Sequence, residues 1–137
     1  MTKEEILHFQ PPVAELLGRE VIDVDTINGG ATLGFTARPD FANRHGTVQG
    51  GLVAAMLDSA TALALYAVLP VEHTAVTTNL NVSFLKPARI GAFVAVGKLL
   101  SRDHRHGETS AELRDPDGIV VATAVAKLRI VRRQRPE

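Results

Sequence analysis

The 137-residue chain contains no cysteine and no tryptophan. Without cysteine there are no disulfides, no thiolate nucleophile and no cysteine-bound zinc, and the absence suits a reducing, cytoplasmic setting. Aromatic residues are scarce, at five Phe and one Tyr, so there is little basis for a pocket specific to aryl groups. Neither sign of charge is in excess, since 15 Lys+Arg balance 15 Asp+Glu. A global electrostatic grip on nucleic acid or an anionic membrane is therefore not supported, although a local patch can still meet phosphates. The opening MTKEEILHFQPP carries acids where a secretion signal would have a basic region and an apolar run. What is present, 45% hydrophobic and 22% charged residues, is ordinary globular composition. The length suits a single domain over residues 1–137.

One long apolar run needs explaining. Leu52 to Leu69 (LVAAMLDSATALALYAVL) holds one charge, Asp58, and approaches the length of a membrane span. A mid-span carboxylate costs about 2.5–3.5 kcal/mol on insertion scales. No basic flank follows, and alanine dominates where lipid-facing helices favour Leu, Ile and Phe. The run reads instead as a helix buried all round inside a water-soluble fold, and no membrane partner is expected.

Around it the chain reads as strands. Thr2-Lys3-Glu4-Glu5 is a capping box that starts a short helix, Pro11-Pro12 breaks it, and a second helical turn ends at Gly18. Arg19–Ile27 and Ala31–Ala37 read as a hairpin joined at Asn28-Gly29-Gly30, where positive φ is needed. A polar loop, Arg38–Gln49, leads to Gly50-Gly51 and the long helix, which Pro70 closes. In Asn79–Phe84 apolar residues alternate, with Leu80, Val82 and Phe84 on one face. Ala92–Leu100, Glu108–Arg114 and Ile119–Val131 complete the strands, and Gln134–Glu137 reads as a loose tail. Strands do not alternate with helices, which excludes a parallel α/β sheet. An α+β domain remains, with an antiparallel sheet curled around one central helix.

Asp58 is the first chemical anomaly. A buried carboxylate costs several kcal/mol unless it is paired, solvated by a cleft or protonated, and no Lys or Arg lies within a turn of it. Gly51, Ala54, Ala55 and Ala62 leave space on its face. The structural alternative is simple packing, with Asp58 bonded to Thr61 or Ser59. Gly50-Gly51 is the second anomaly, because a helix N-terminus offers free N–H groups that can polarise a carbonyl. The eight residues from Gly50 to Asp58 span roughly 12 Å of helix. One helix cannot place both groups on one carbonyl, so joint action requires two chains and a homodimer interface.

Upstream, Asn43, His45, Thr47 and Gln49 are polar. Asn43 or Gln49 can orient a water or hydrogen-bond a substrate carbonyl, with local turn bonding as the alternative reading. Lys86 and Arg89 flank a turn and can meet phosphates at a site entrance. His104 and His106 lack a third ligand and helical spacing, so no metal site is expected. Arg132, Arg133 and Arg135 read as a solvated tail.

Asn43-Arg-His-Gly46-Thr-Val-Gln49-Gly50-Gly51, followed by Asp58-Ser-Ala, resembles the N-x-x-G-x-x-H-G-G…D-x-A signature of hotdog-fold acyl-CoA thioesterases, the phenylacetic-acid-degradation and 4-hydroxybenzoyl-CoA thioesterase group. Phe84–Gly91 (FLKPARIG) resembles a block of the same group, and the likeness spans roughly residues 37 to 129. The resemblance implies a hotdog fold and hydrolysis of an acyl-CoA without a cofactor, with aryl, short-chain and medium-chain acyl groups all open, by a dimer as the minimal unit and an expected tetramer. It implies Asp58 as the catalytic carboxylate, either general base or nucleophile, and the Gly50 N–H as the group polarising the thioester carbonyl from the partner subunit. Asn43 would place substrate or water, and Thr77 falls where a hydroxyl holds the attacking water. Gln49, Gly51, His45, Lys86 and Arg89 are the expected substrate contacts. The family's usual His before the glycine pair is Gln49 here, which can hydrogen-bond but carries no charge.

Two other readings stand beside hydrolysis. Asp40 and His45 show the D-x4-H spacing of hotdog hydratases, without matching surroundings, and the Gln49 substitution leaves room for a non-catalytic acyl-CoA binding module.

Overall fold

The computed structural model describes residues 1–134; the rest of the expected tail, Arg135 included, lies outside the described residues. Two short helices, α1 (Lys3–His8) and α2 (Pro12–Leu16), precede the strands β1 (Glu20–Asp25) and β2 (Gly30–Ala37). A 3-10 turn (Pro39–Phe41) and a loop lead to α3 (Gly50–Tyr66). Then come β3 (His73–Phe84), β4 (Gly91–Arg102), β5 (His106–Arg114) and β6 (Val120–Arg132). All six strands form one antiparallel sheet in the order β1-β2-β4-β5-β6-β3. The sheet wraps α3, which is the expected α+β hotdog architecture.

Close seating of α3 follows from what the sheet leaves out. Ala31, Leu33, Phe35, Phe93, Ala95, Ala111, Leu113 and the alanine row 122, 124 and 126 face inward and are buried. At Gly97 a side-chain carbon would lie 2.5 Å from the Ala60 carbonyl oxygen, and at Gly107 it would lie 2.7 Å from Leu65. Both glycines thus mark places where the helix presses on the sheet. Val53, Met56, Leu57, Ala60, Thr61, Leu63, Ala64 and Leu65 are buried from the helix side. The Thr61 hydroxyl bonds back to the carbonyls of Leu57 and Asp58, at 2.9 and 3.0 Å.

Burial all round is not what the structure shows. Ala54, Ala55, Asp58, Ala62 and Tyr66 are half-buried and Gly51 is exposed, because the sheet covers only part of the helix circumference. Ala54, Ala55 and the helical positions 51, 58, 62 and 66 share one stripe at helical spacing. Among the described residues, no helix is long and apolar enough to cross a membrane.

Other boundaries moved for local reasons. The helix stops at Tyr66, four residues before Pro70, because proline has no N–H for the Tyr66 carbonyl and its ring crowds that oxygen. The Leu69 N–H turns back to the Tyr66 carbonyl at 3.2 Å, and the Lys3 ammonium bonds the Leu69 carbonyl just beyond. β1 ends at Asp25, whose carboxylate accepts the N–H groups of Ile27 and Asn28, both at 2.9 Å. That makes a four-residue loop in which only Gly29 has positive φ, +86°. β3 begins at His73 rather than Asn79, since its register with β6 shifts between Thr77 and Asn79. Thr78 is an extra residue there. Ala75 and Thr77 share the inward face before the bulge, as Leu80 and Val82 do after it, so a strict period of two is visible only downstream. Phe84 shares that face but is 57% exposed. Arg133 is not a solvated tail residue: its guanidinium donates to the carbonyls of Val71 and His73.

Gly97→Ala should lower the free energy of unfolding by about 1–3 kcal/mol, because backbone must shift to admit the methyl; urea denaturation measures this. The carboxyls of Asp25 and Asp103 lie below the usual aspartate range, chiefly because backbone N–H groups donate to their charged forms. Their stabilisation is complete above the unfolded value of about 3.9. It is lost as pH falls through their lower folded values. Asp25→Asn should therefore flatten the decline of stability below about pH 4 in an acid titration of the unfolding midpoint.

Candidate active site

Gly50 opens α3 as its first helical residue, with Gln49 at the N-cap in extended backbone (φ −55°, ψ 132°). The Gln49 carbonyl accepts the N–H groups of Leu52 and Val53, and its side chain makes no capping bond. The N–H groups of Gly50 and Gly51 find no acceptor among the described residues. They form a positive, donor-rich helix end. Nothing within 4 Å would meet a side chain at Gly51, while the Phe84 ring lies 3.4 Å from that position at Gly50. A cleft of about 330 Å³ opens there, lined by Asn43, Thr47, Gly50, Phe84 and Lys86 among others. A second cleft of about 510 Å³ shares Lys86 and Pro87 and adds Arg89. A further hollow, about 570 Å³, lies over Val96, Ser110 and Val125 and contains none of the expected site residues.

Asp58 lies two turns along the same helix and outside the Gly50 cleft. Neither Thr61 nor Ser59 is its side-chain partner. Thr77 is: its hydroxyl donates to Asp58 Oδ1 at 2.8 Å. Ser59 is taken up by Arg19, whose guanidinium donates to Ser59 Oγ at 3.1 Å and to the Phe9 carbonyl at 2.6 Å. No ion pair to Asp58 occurs among the described residues. The structure thus holds one carboxylate oxygen with a hydroxyl and leaves the other free on the half-buried stripe.

The remaining expected residues divide into two groups. Asn43 is committed to its own loop, its Oδ1 accepting from the N–H groups of His45 (2.9 Å) and Thr47 (3.2 Å). It shapes the approach to Gly50 and is not brought to Asp58. Gln49, His45, Lys86 and Arg89 are exposed around the loop and the cleft rims. Asp40 is paired with Arg38 at 2.9 Å and does not hydrogen-bond His45, so the D-x4-H spacing assembles no acid–base pair. Among the described residues no group of three potential metal ligands gathers.

Tyr66 and Arg19 were not legible as site neighbours. The Tyr66 hydroxyl donates to the Ala75 carbonyl at 2.9 Å. Burial pushes its pKa above the ordinary phenol range, and the Asp58 charge adds to this. Burial pushes the Arg19 pKa down. Tyr66 follows Asp58 by eight residues, a helical spacing that hints at a shared face, whereas nothing in the sequence marks Arg19.

Comparison with known proteins agrees with this fold. The model of the Thioesterase superfamily matches residues 45–122. A phenylacetic acid degradation-related protein from Ralstonia eutropha JMP134 is 35% identical and superposes with a TM-score of 0.85, over 93% of this chain and 98% of that one. A Saccharolobus solfataricus protein, named only provisionally as an esterase, is 28% identical over 94% of this chain and 90% of its own length. The Escherichia coli PaaI protein from the phenylacetic acid degradation operon shares the fold at a TM-score of 0.84 and 22% identity, over 94% of this chain and 91% of that one.

Proposed function

From the premise that this chain belongs to the thioesterase superfamily, we propose that it hydrolyses an acyl-CoA thioester at a site built from two copies of itself. The observation that carries this is Asp58, held by Thr77 on the uncovered stripe of α3, eight residues from the unsatisfied amide of Gly50. The separation is roughly 12 Å along one axis. A nucleophile or base acts within about 3–3.5 Å of the carbon, and an oxyanion donor lies about 3 Å from the oxygen. Two α3 helices packed antiparallel about a twofold axis near Ala54, midway between these residues, bring Asp58 beside Gly50 of the partner subunit, twice over. Gly51, Ala54 and Ala55 are small enough for such an approach, and β3 is an edge strand with a free side. The interface is then isologous and its two sites are equivalent.

In this reading the thioester carbonyl points at the helix N-terminus, where the Gly50 N–H stabilises the negative charge that develops on oxygen. A water shared by Asp58 and Thr77 loses a proton to the free carboxylate oxygen as its own oxygen bonds to the carbonyl carbon. The tetrahedral oxyanion collapses, the C–S bond breaks, and the departing thiolate takes up that proton. The coenzyme thiol is a good enough leaving group that no metal is needed. Gln49, at the N-cap, supplies an uncharged hydrogen bond. Lys86 and Arg89, on the rims of adjoining clefts, meet the phosphates of the coenzyme. If Asp58 instead attacks carbon directly, the thiolate leaves from a mixed anhydride that water must then hydrolyse. A single turnover in ¹⁸O-water then labels the Asp58 carboxylate where that water attacks the Asp58 carbonyl carbon, and the product acid where it attacks the acyl carbon.

The test is complementation. Asp58→Asn should bind acyl-CoA but lose about 10²–10⁴ in kcat. Gly50→Pro removes the N–H at a helix position that tolerates proline, after a residue already extended, and should lose about 10²–10³. Mixed after dissociation and reassociation, the two inert variants should recover about a quarter of wild-type activity, since half the dimers carry one intact site. No recovery from two folded, dimer-forming variants would rule out the shared site. Wild type that binds acyl-CoA esters across a panel but releases no thiol would make the protein a binding module, and hydration of an enoyl-CoA would make it a hydratase.

A further inference from the structure

We propose that Tyr66 is a positioning residue: by tying β3 to α3 it sets the Thr77 hydroxyl on Asp58. The inference rests on the hydrolase reading above and extends it to a side chain outside the reacting groups.

The two elements run antiparallel, since Asp58 meets Thr77 and Tyr66 meets Ala75. Advancing from Asp58 to Tyr66 covers roughly 12 Å of helix. Stepping back from Thr77 to Ala75 covers only about 6.6 Å of strand. The tyrosine itself takes up the mismatch. Helical side chains lean toward the helix N-terminus, here toward Asp58, so the long ring delivers its hydroxyl to the strand one inward position before Thr77. A half-buried phenol with a raised pKa remains a donor throughout the neutral range.

The strand needs such a tie. Within one subunit β3 lies at the edge of the sheet and pairs with β6 alone. Its ladder is interrupted directly after Thr77, where Thr78 and Asn79 together face Lys127. On the outer side the Thr78 hydroxyl bonds the Lys127 carbonyl at 3.1 Å. On the inner side the Tyr66–Ala75 bond holds the segment at the depth where Thr77 reaches the carboxylate at 2.8 Å. Removing the phenolic oxygen leaves the ring and its packing in place, and breaks the bond that ties the strand to the helix at Ala75.

Thioester hydrolysis measured for wild type, Tyr66→Phe, Thr77→Ala and the double variant tests this, with thermal unfolding of each followed in parallel. Tyr66→Phe should lose about 3- to 10-fold in kcat, with KM held within about twofold. In the Thr77→Ala background the same substitution should change kcat by less than about 1.5-fold, because its effect passes through Thr77. Its effect on the unfolding temperature should be similar in both backgrounds. Unchanged kcat for Tyr66→Phe, or an equal loss in both backgrounds, would overturn the proposal. Asp58→Asn separates the two levels. If it is inert while Tyr66→Phe matches wild type, only the role of Tyr66 falls. If Asp58→Asn retains full turnover, or wild type releases no thiol, the reading of the site falls and this role with it.

Discussion

Everything at this site depends on how closely α3 can lie against the sheet. Gly97 and Gly107, together with the alanines facing inward from β6, remove side-chain bulk along the contact. The helix can then sink until backbone meets backbone, and the strands can curl round it. A larger residue at either glycine would lift the helix and, with it, the carboxylate that β3 must reach. The same small-residue chemistry explains why the helix shows so little amphipathic signal. Apolar and small residues serve its covered faces and its uncovered stripe alike.

On that seated helix, two chemically different points are held at a distance the α-helix itself dictates. The N-terminus presents unsatisfied amides, and two turns later a carboxylate leaves one oxygen free. A single rigid rod cannot bend them onto one carbonyl. The proposed twofold pairing turns this limitation into two equivalent sites, and it gives a reason for the stripe that the sheet leaves uncovered. Thr77 belongs to the same design, because it reaches Asp58 from an edge strand that must be tied from both its outer and inner sides.

Much of the fold was open to reading in the residues. Period-two alternation located the downstream half of β3 and the last strands, and the run of alanines and leucines marked the central helix. The readings that failed did so where a local interaction overrode the pattern. Thr78 shifts the parity of β3 and hides its first half. The Asp25 carboxylate gathers two N–H groups and lengthens the first hairpin loop. Pro70 acts four residues upstream, through the Tyr66 carbonyl. In the candidate site, Asp58, Gly50 and Thr77 were nameable, but the bond joining Thr77 to Asp58 was not, and Asn43 proved to be occupied with its own loop.

What the residues alone determined is whatever depends on order and spacing along the chain. They gave the antiparallel class, the central helix, the distance between Gly50 and Asp58, and the need for a second chain if both act together. Only the tertiary structure decided which partner holds the carboxylate, which face of α3 stays uncovered, and that Tyr66 and Arg19 stand nearby. Those outcomes depend on contacts between segments distant in sequence. Such contacts are selected by packing and hydrogen-bond geometry in three dimensions, and no periodicity along one segment encodes them.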